Sequence, residues 1–213
     1  MNRIFVTLAV VCIGSAFPAA GATAWKDGPS VAYVFGGDVE SAGFGFGYQA
    51  AHEFSRNFSV EFMGQWHEDE SDALASAFPT VGDTPTVGLD VISLALTGRV
   101  SMEPAPSLLA YAGAGVGYYI LEADNGEIRE SLSGTGFGFA DVQGDKEFGA
   151  HIVLGCELLL TKRWEIFAEY RYSFLDSGYT ASYSADRDSP VGTQRDSFDY
   201  DHGALRFGLN YRL

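Results

Sequence analysis

From Ser30 to the end of the chain, apolar side chains recur at every second position, the period of a strand whose two faces meet different surroundings. The stretch from Trp164 to Phe174 carries the pattern most clearly. Trp164, Ile166, Ala168, Tyr170, Tyr172 and Phe174 fall on one face, and Glu165, Phe167, Glu169, Arg171 and Ser173 on the other. The last segment repeats it, with Leu205, Phe207, Leu209, Tyr211 and Leu213 alternating with Arg206, Gly208, Asn210 and Arg212. Six further segments obey the same rule, at about 30–36, 43–51, 58–67, 87–101, 107–121 and 148–160. Helical spacing is scarce.

The connections between these segments alternate in length. Short ones hold Ser55-Arg56-Asn57, Glu103-Pro104-Ala105-Pro106 and Thr161-Lys162-Arg163. Long ones run over about 68–86, 122–147 and 176–201, and only the first on that side, near 38–41, is brief. Long loops without secondary structure of their own are uncommon in compact soluble domains. Short turns on one side and long loops on the other are the layout of a membrane barrel. The pattern therefore predicts an all-β fold, an eight-stranded antiparallel up-and-down transmembrane β-barrel with its long loops outside.

Face composition agrees. A sheet in lipid must close on itself so that every backbone group is paired, and its outer face needs apolar residues with aromatics near the interfaces. Phe44, Phe46, Tyr48, Phe58, Val60, Phe62, Trp66, Trp164, Tyr170, Tyr172, Phe207 and Tyr211 meet that need. Gly45, Gly47, Gly113, Gly115, Gly117, Gly149 and Gly155 fall on the inner face. An eight-stranded lumen has room only for side chains, so small residues on some strands leave space for large polar ones on others. A water-soluble sandwich or lipocalin-like barrel would also alternate. It would have to expose Glu61, Arg99, Glu157, Glu169, Arg171 and Arg206 and pack the bulky aromatics into one small core.

The first residues need separate treatment. Met1-Asn2-Arg3 is a positive start, Ile4 to Ala16 is a short apolar run, and Ala20-Gly21-Ala22 and Ala22-Thr23-Ala24 are small-x-small sites. Residues 1–22 are expected to be a signal peptide, cleaved after Ala22 or Ala24, and 23–213 the barrel domain. A lipoprotein signal at Cys12 is the competing reading, opposed by the bulky Val10-Val11 before it. Cys156 is the one cysteine beyond that leader, so no disulfide can brace the barrel. The formal net charge of −15 excludes nucleic acid as a partner, since phosphate binding depends on Lys and Arg.

Three segments carry a family resemblance. They are Gly47-Tyr48 through Phe54-Ser55-Arg56-Asn57-Phe58-Ser59-Val60-Glu61, Tyr111-Ala112-Gly113-Ala114-Gly115-Val116-Gly117-Tyr118, and Leu160-Thr161-Lys162-Arg163-Trp164 through Ala168-Glu169-Tyr170-Arg171-Tyr172. In their order and spacing the chain resembles the opacity-protein and OmpA-like eight-stranded outer-membrane barrels, over nearly the whole of its length past the leader. The closing Gly208-Leu209-Asn210-Tyr211-Arg212-Leu213 is similar to the terminal strand that presents such proteins to the barrel-assembly machinery, although it ends on Leu213 where the family ends on Phe. The resemblance implies the bacterial outer membrane as location, outer-membrane lipid and lipopolysaccharide as surroundings, and a plugged, ion-paired interior. With nothing after the last strand, no peptidoglycan-binding domain is expected.

Among polar residues, Glu61, Glu157 and Glu169 with Arg99, Arg171 and Arg206 are the candidate site. They come from strands that can face one another across a narrow lumen, where an unpaired charge would be very costly. The expected role is a structural ion-pair network, with a gated ion path as the alternative. The predicted outer loops are acidic: Glu68, Asp69, Glu70, Asp72 and Asp83 in one; Glu122, Asp124, Glu127, Glu130, Asp141 and Asp145 in the next; Asp186, Asp188, Asp196, Asp199 and Asp201 in the last. Such carboxylates are either simply solvated or share divalent cations with lipid phosphates. Leu132 to Phe139 is Gly-rich and could add a short hairpin, but follows no strand-to-helix pattern of a phosphate-binding loop.

A lipid A-modifying barrel enzyme would need a histidine with a nucleophile or carboxylate near the outer rim. His67 with Glu68 or Asp69, and His202 with Asp199 or Ser197, are the available pairs, and neither forms the adjoining His-Ser set of a deacylase. His151 is expected to point inward between Gly149 and Val153, and Cys156 to face lipid. The expectation is therefore a non-enzyme without cofactor, catalytic or metal residues. Its role would be structural or in surface interaction, as in adhesion, host contact or envelope integrity, with an extracellular protein ligand as possible partner. A lipid-modifying enzyme and a small-solute channel are the alternatives.

Overall fold

The computed structural model describes residues 24–36, 43–71, 87–123, 139–144, 146–184 and 192–213. The expected signal peptide lies outside the described residues. Eleven strands are present among those described: β1 (Ala24–Phe35), β2 (Gly43–Ser55), β3 (Phe58–Ser71), β4 (Val87–Ala105), β5 (Leu108–Ala123), β6 (Phe139–Gly144), β7 (Lys146–Leu159), β8 (Trp164–Phe174), β9 (Asp176–Ser184), β10 (Gly192–Asp199) and β11 (His202–Arg212). Eight of them close a barrel in the order β1-β11-β8-β7-β5-β4-β3-β2. Every neighbour pair in it is antiparallel, and β1 against β11 joins the two ends of the chain.

The strands run further than the alternation alone marked. β1 begins at Ala24, not near Ser30, because Gly28-Pro29 interrupts the apolar pattern without ending the pairing to β2. β4 is 19 residues long and turns into β5 at Pro106-Ser107, where Ser107 takes φ 69°, the left-handed value of the residue that follows proline in a type II turn. The loops expected at 122–147 and 176–201 are not structureless. They contain β6, β9 and β10, which form a separate three-stranded sheet in the order β10-β9-β6. Two loops that are distant in sequence thus share backbone hydrogen bonds.

Side-chain direction follows parity. On β8, exposed Trp164, Ile166 and Tyr170 alternate with buried Glu165, Phe167, Glu169, Arg171 and Ser173. Phe44, Phe46, Phe58, Phe62, Leu96, Ile152, Leu154 and Phe207 likewise stand exposed on the outside. Glu61, Arg99, Arg206 and Asn210, which water would solvate well, are instead at most 1 % exposed. A protein with oil outside and ions inside is built for lipid. Glycine permits the filling: a Cβ on Gly115 would sit 2.0 Å from the Leu96 carbonyl oxygen and 2.6 Å from His151 Nε2.

Two outcomes follow. Gly115→Ala should destabilise the barrel by about 1–3 kcal/mol, because the close backbone oxygen cannot move aside. Leu154→Arg, in the middle of the lipid-facing surface, should cost about 2–4 kcal/mol. Both are checked by reversible denaturant unfolding from lipid vesicles.

Candidate functional site: the ion-paired lumen

The inward side chains form levels along the barrel. At the end of the short turns, Lys26 Nζ from β1 pairs with Glu157 of β7, and lies 3.4 Å from both Glu165 Oε2 of β8 and Glu53 Oε1 of β2. Arg212 closes this level, donating to Glu53 Oε1 at 2.9 Å and pairing with Glu165. A cavity of about 390 Å³ lies here, its lining including Glu53, Arg56, Glu103 and Arg212.

The middle level is the densest. Three guanidinium groups surround two carboxylates. Arg99 of β4 pairs with Glu61 of β3 and donates to Glu169 Oε2 of β8 at 2.7 Å. Arg171 Nη2 reaches Glu61 Oε1 at 3.0 Å and Glu169 Oε1 at 3.1 Å, and Arg206 of β11 donates to Glu169 Oε1. Arg99 Nη1 also stands 3.4 Å from Glu157 Oε1, which links this level to the one below. Neutral groups complete the set: Tyr111 OH donates to Glu169 Oε2 at 3.0 Å, Arg206 Nη2 to Gln49 Oε1 at 2.8 Å, and Gln49 Nε2 to Asn210 Oδ1 at 3.0 Å. The Arg99 guanidinium lies 4.4 Å from the centre of the Tyr111 ring.

Lys26, Arg99, Arg171 and Arg206 balance Glu61, Glu157, Glu165 and Glu169 in charge, each of the eight at most 4 % exposed. Balance is what burial requires, because a single charge without its partner would carry an uncompensated desolvation cost. Above this level Thr97 Oγ1 and His151 Nε2 are 2.8 Å apart, and Tyr119 OH donates to Ser173 Oγ at 3.1 Å. At the outer end His67, His202 and Tyr200 meet, beside buried Leu175, Val91 and Leu121.

All six residues of the candidate network, Glu61, Arg99, Glu157, Glu169, Arg171 and Arg206, are brought together in the lumen. Lys26 and Glu165 join the network beyond the six predicted residues. Glu165 stood on the correct face of the Trp164–Phe174 segment. Lys26 shares its face with Ser30, four residues on, but fell before the point where the alternation becomes regular.

His67 and His202 lie on the lumen side at the outer end of the barrel, and the side chains of Asp69, Ser197 and Asp199 lie outside those described. Glu68 faces the opposite side of β3 and is exposed, whereas His67 is buried with Nε2 3.4 Å from Tyr200 OH. His202 Nδ1 lies 3.1 Å from the Tyr200 carbonyl oxygen. His151 points inward and Cys156 outward. Of the acidic loop residues, Asp72, Asp83, Asp124, Glu127, Glu130, Asp145, Asp186 and Asp188 lie outside the described residues, as does 132–138 of the Gly-rich stretch. Among the described residues, no three His, Cys, Asp or Glu side chains converge on a metal position.

A family model for the outer membrane protein beta-barrel domain matches residues 4–212. The chain belongs to this outer-membrane β-barrel family. Its barrel is of the eight-stranded, OmpA-like kind, and its location is the outer membrane. Among solved structures it is similar to the outer membrane protein OprG from Pseudomonas aeruginosa, at 14 % identity and TM-score 0.65, covering 90 % of this chain and 96 % of that one. A major outer membrane protein from Thermus thermophilus aligns at 11 % identity and TM-score 0.58, covering 90 % and 100 %. Neisserial surface protein A aligns at 12 % and 0.54, covering 90 % and 97 %. No curated protein sequence matches. At these identities the family fold is shared while the lumen must be read from this chain's own residues.

Removing one partner from the middle level tests the network. Glu169→Leu strips the carboxylate shared by Arg99, Arg171 and Arg206 and should cost about 3–5 kcal/mol in vesicle unfolding. Arg212→Ala, at the partly exposed inner end, should cost less than about 1 kcal/mol.

Proposed function

We propose that this outer-membrane protein is a closed, non-enzymatic scaffold that works at the cell surface, through contact of its extracellular segments with lipopolysaccharide and with an extracellular protein ligand. The observation that carries this reading is the filled cross-section at Glu61, Arg99, Glu169, Arg171 and Arg206. A solute could pass only by breaking several buried, charge-assisted bonds at once. The outer segments, in contrast, are organised: β6 from one loop and β9–β10 from another form one sheet beyond the barrel wall. Order of that kind keeps a contact surface in a fixed shape and lowers the entropy lost on binding.

The histidines that a lipid-modifying enzyme would use lie on the lumen side, turned from the acyl chains and engaged with Tyr200. Removal of either is therefore expected to leave lipid A unchanged in mass.

Planar-bilayer recording of the folded protein tests the closed lumen: no steady current is expected, and regular unitary steps would contradict it. Replacing 177–198 with a short Gly-Ser linker tests the surface role. The shortened protein should keep heat-modifiable migration while cells carrying it lose binding to immobilised extracellular proteins. Retained binding would contradict the assignment to these strands.

A further inference from the structure

The outer end of the lumen holds a contact that the scaffold reading does not use. His67 of β3 and His202 of β11 stand across the lumen with ring centres 5.6 Å apart, and the Tyr200 ring lies 5.1 Å from His202. His67 is 0 % and Tyr200 1 % exposed. Tyr200 also fastens the base of the last extracellular segment: its N–H donates to the Leu175 carbonyl at 2.7 Å, and Asp201 Oδ1 accepts from the Leu175 N–H at 3.0 Å. The segment that places the Tyr200 and His202 rings in the stack therefore also ties both ends of the 175–201 connection together.

We propose that the His67–His202–Tyr200 stack is a proton-released latch, which holds the base of the last extracellular segment over the barrel mouth and lets go when the surroundings turn acidic. Such a latch would act whichever partner the loops contact.

The reason is the company the imidazoles keep. Imidazole is the side chain whose ordinary titration falls between about pH 5 and pH 8. Within the stack, a proton on either ring sets a cation against the other imidazole in a site closed to water. His67 Nδ1 has no hydrogen-bond partner among the described residues, so an added N–H there would be buried without an acceptor.

The charged and titratable groups around the stack divide unevenly. From β8, Arg171 adds a like charge two residues from Ser173, the register partner of His202. From β5, Tyr119 stacks edge-on against His202 at 6.1 Å, and from β7, His151 lies one level deeper beside Thr97. The flanking positions of β4, β2 and β1 are Val91, Gly45 and Val34 and carry no charge. Two carboxylates flank the stack among the described residues: Asp201, which accepts from the Leu175 N–H, and half-buried Glu147 of β7, the register partner of Tyr119. Opening moves both rings toward water, where protonation is free of these costs, so acid favours the open latch.

Hydrogen–deuterium exchange on the full protein in vesicles reads this directly, with rates corrected for the intrinsic effect of pH. The opening equilibrium can rise by up to about tenfold per pH unit for each proton taken up. Between about pH 7.5 and about pH 5, protection at the amides of Leu175 and Tyr200 should fall by at least about tenfold, while barrel amides such as Val153 stay protected. His67→Gln and His202→Gln should each flatten that response, and His52→Gln, on the outer wall near the opposite end, should leave it intact. Heat-modifiable migration establishes that a variant is folded, and either histidine variant suffices. An unchanged Leu175 and Tyr200 protection across this range, or the same pH response in a folded histidine variant, would overturn the latch.

Discussion

Every feature of this chain answers to one constraint: a backbone that crosses hydrocarbon has no water to bond, so its sheet has to close. Closure is made by β1 against β11, which pairs Val31 with Phe207 and Tyr33 with Leu205 and brings the first strand to the last. Once the ring is shut, the pleat decides the rest. Successive residues must face either acyl chains or a lumen too narrow for bulk water, and neither place tolerates an arbitrary side chain. The outer surface is accordingly apolar, and the inner one holds ions that cancel.

Cancellation inside a closed ring makes the charged residues interdependent. Glu169 receives three guanidinium groups, and Glu61 receives the same three at distances up to 3.8 Å. The gain over an apolar filling need not be large, since burying charges costs much of what pairing returns. What such a network fixes is register. A strand that slipped by one residue would turn its charges into lipid and its aromatics inward, so the ion pairs penalise every wrong alignment of β3, β4, β8 and β11. The same residues close the path, which joins folding specificity to the absence of a pore.

Much of this was legible in the residues. Period-two alternation located all eight wall strands, and the short turns expected at 55–57, 103–106 and 161–163 gave their order, although β4 runs on to Ala105 and the second turn falls at Pro106-Ser107. The inward charges were legible for the same reason, because parity alone puts Glu61, Arg99 and Arg171 on the lumen side. Lys26 was lost because Gly28-Pro29 breaks the local pattern while the long-range pairing with β2 carries the strand through it. The sheet formed by β6, β9 and β10 was not foreseeable from periodicity either. Its strands are short and mixed, and what stabilises them is pairing between two loops far apart in the chain. The meeting of His67 with His202 is likewise a product of closure, since their strands are separated by β1 and β2 around the wall.

Spin labels on single cysteines at successive positions from 152 to 158, in a Cys156→Ser background, measure the central assignment of faces most directly. Oxygen, which concentrates in hydrocarbon, should collide often with labels at 152, 154 and 158 and rarely with those at 153, 155 and 157. An inverted alternation, or collision rates with no period of two, would contradict a barrel with lipid outside and ion pairs within.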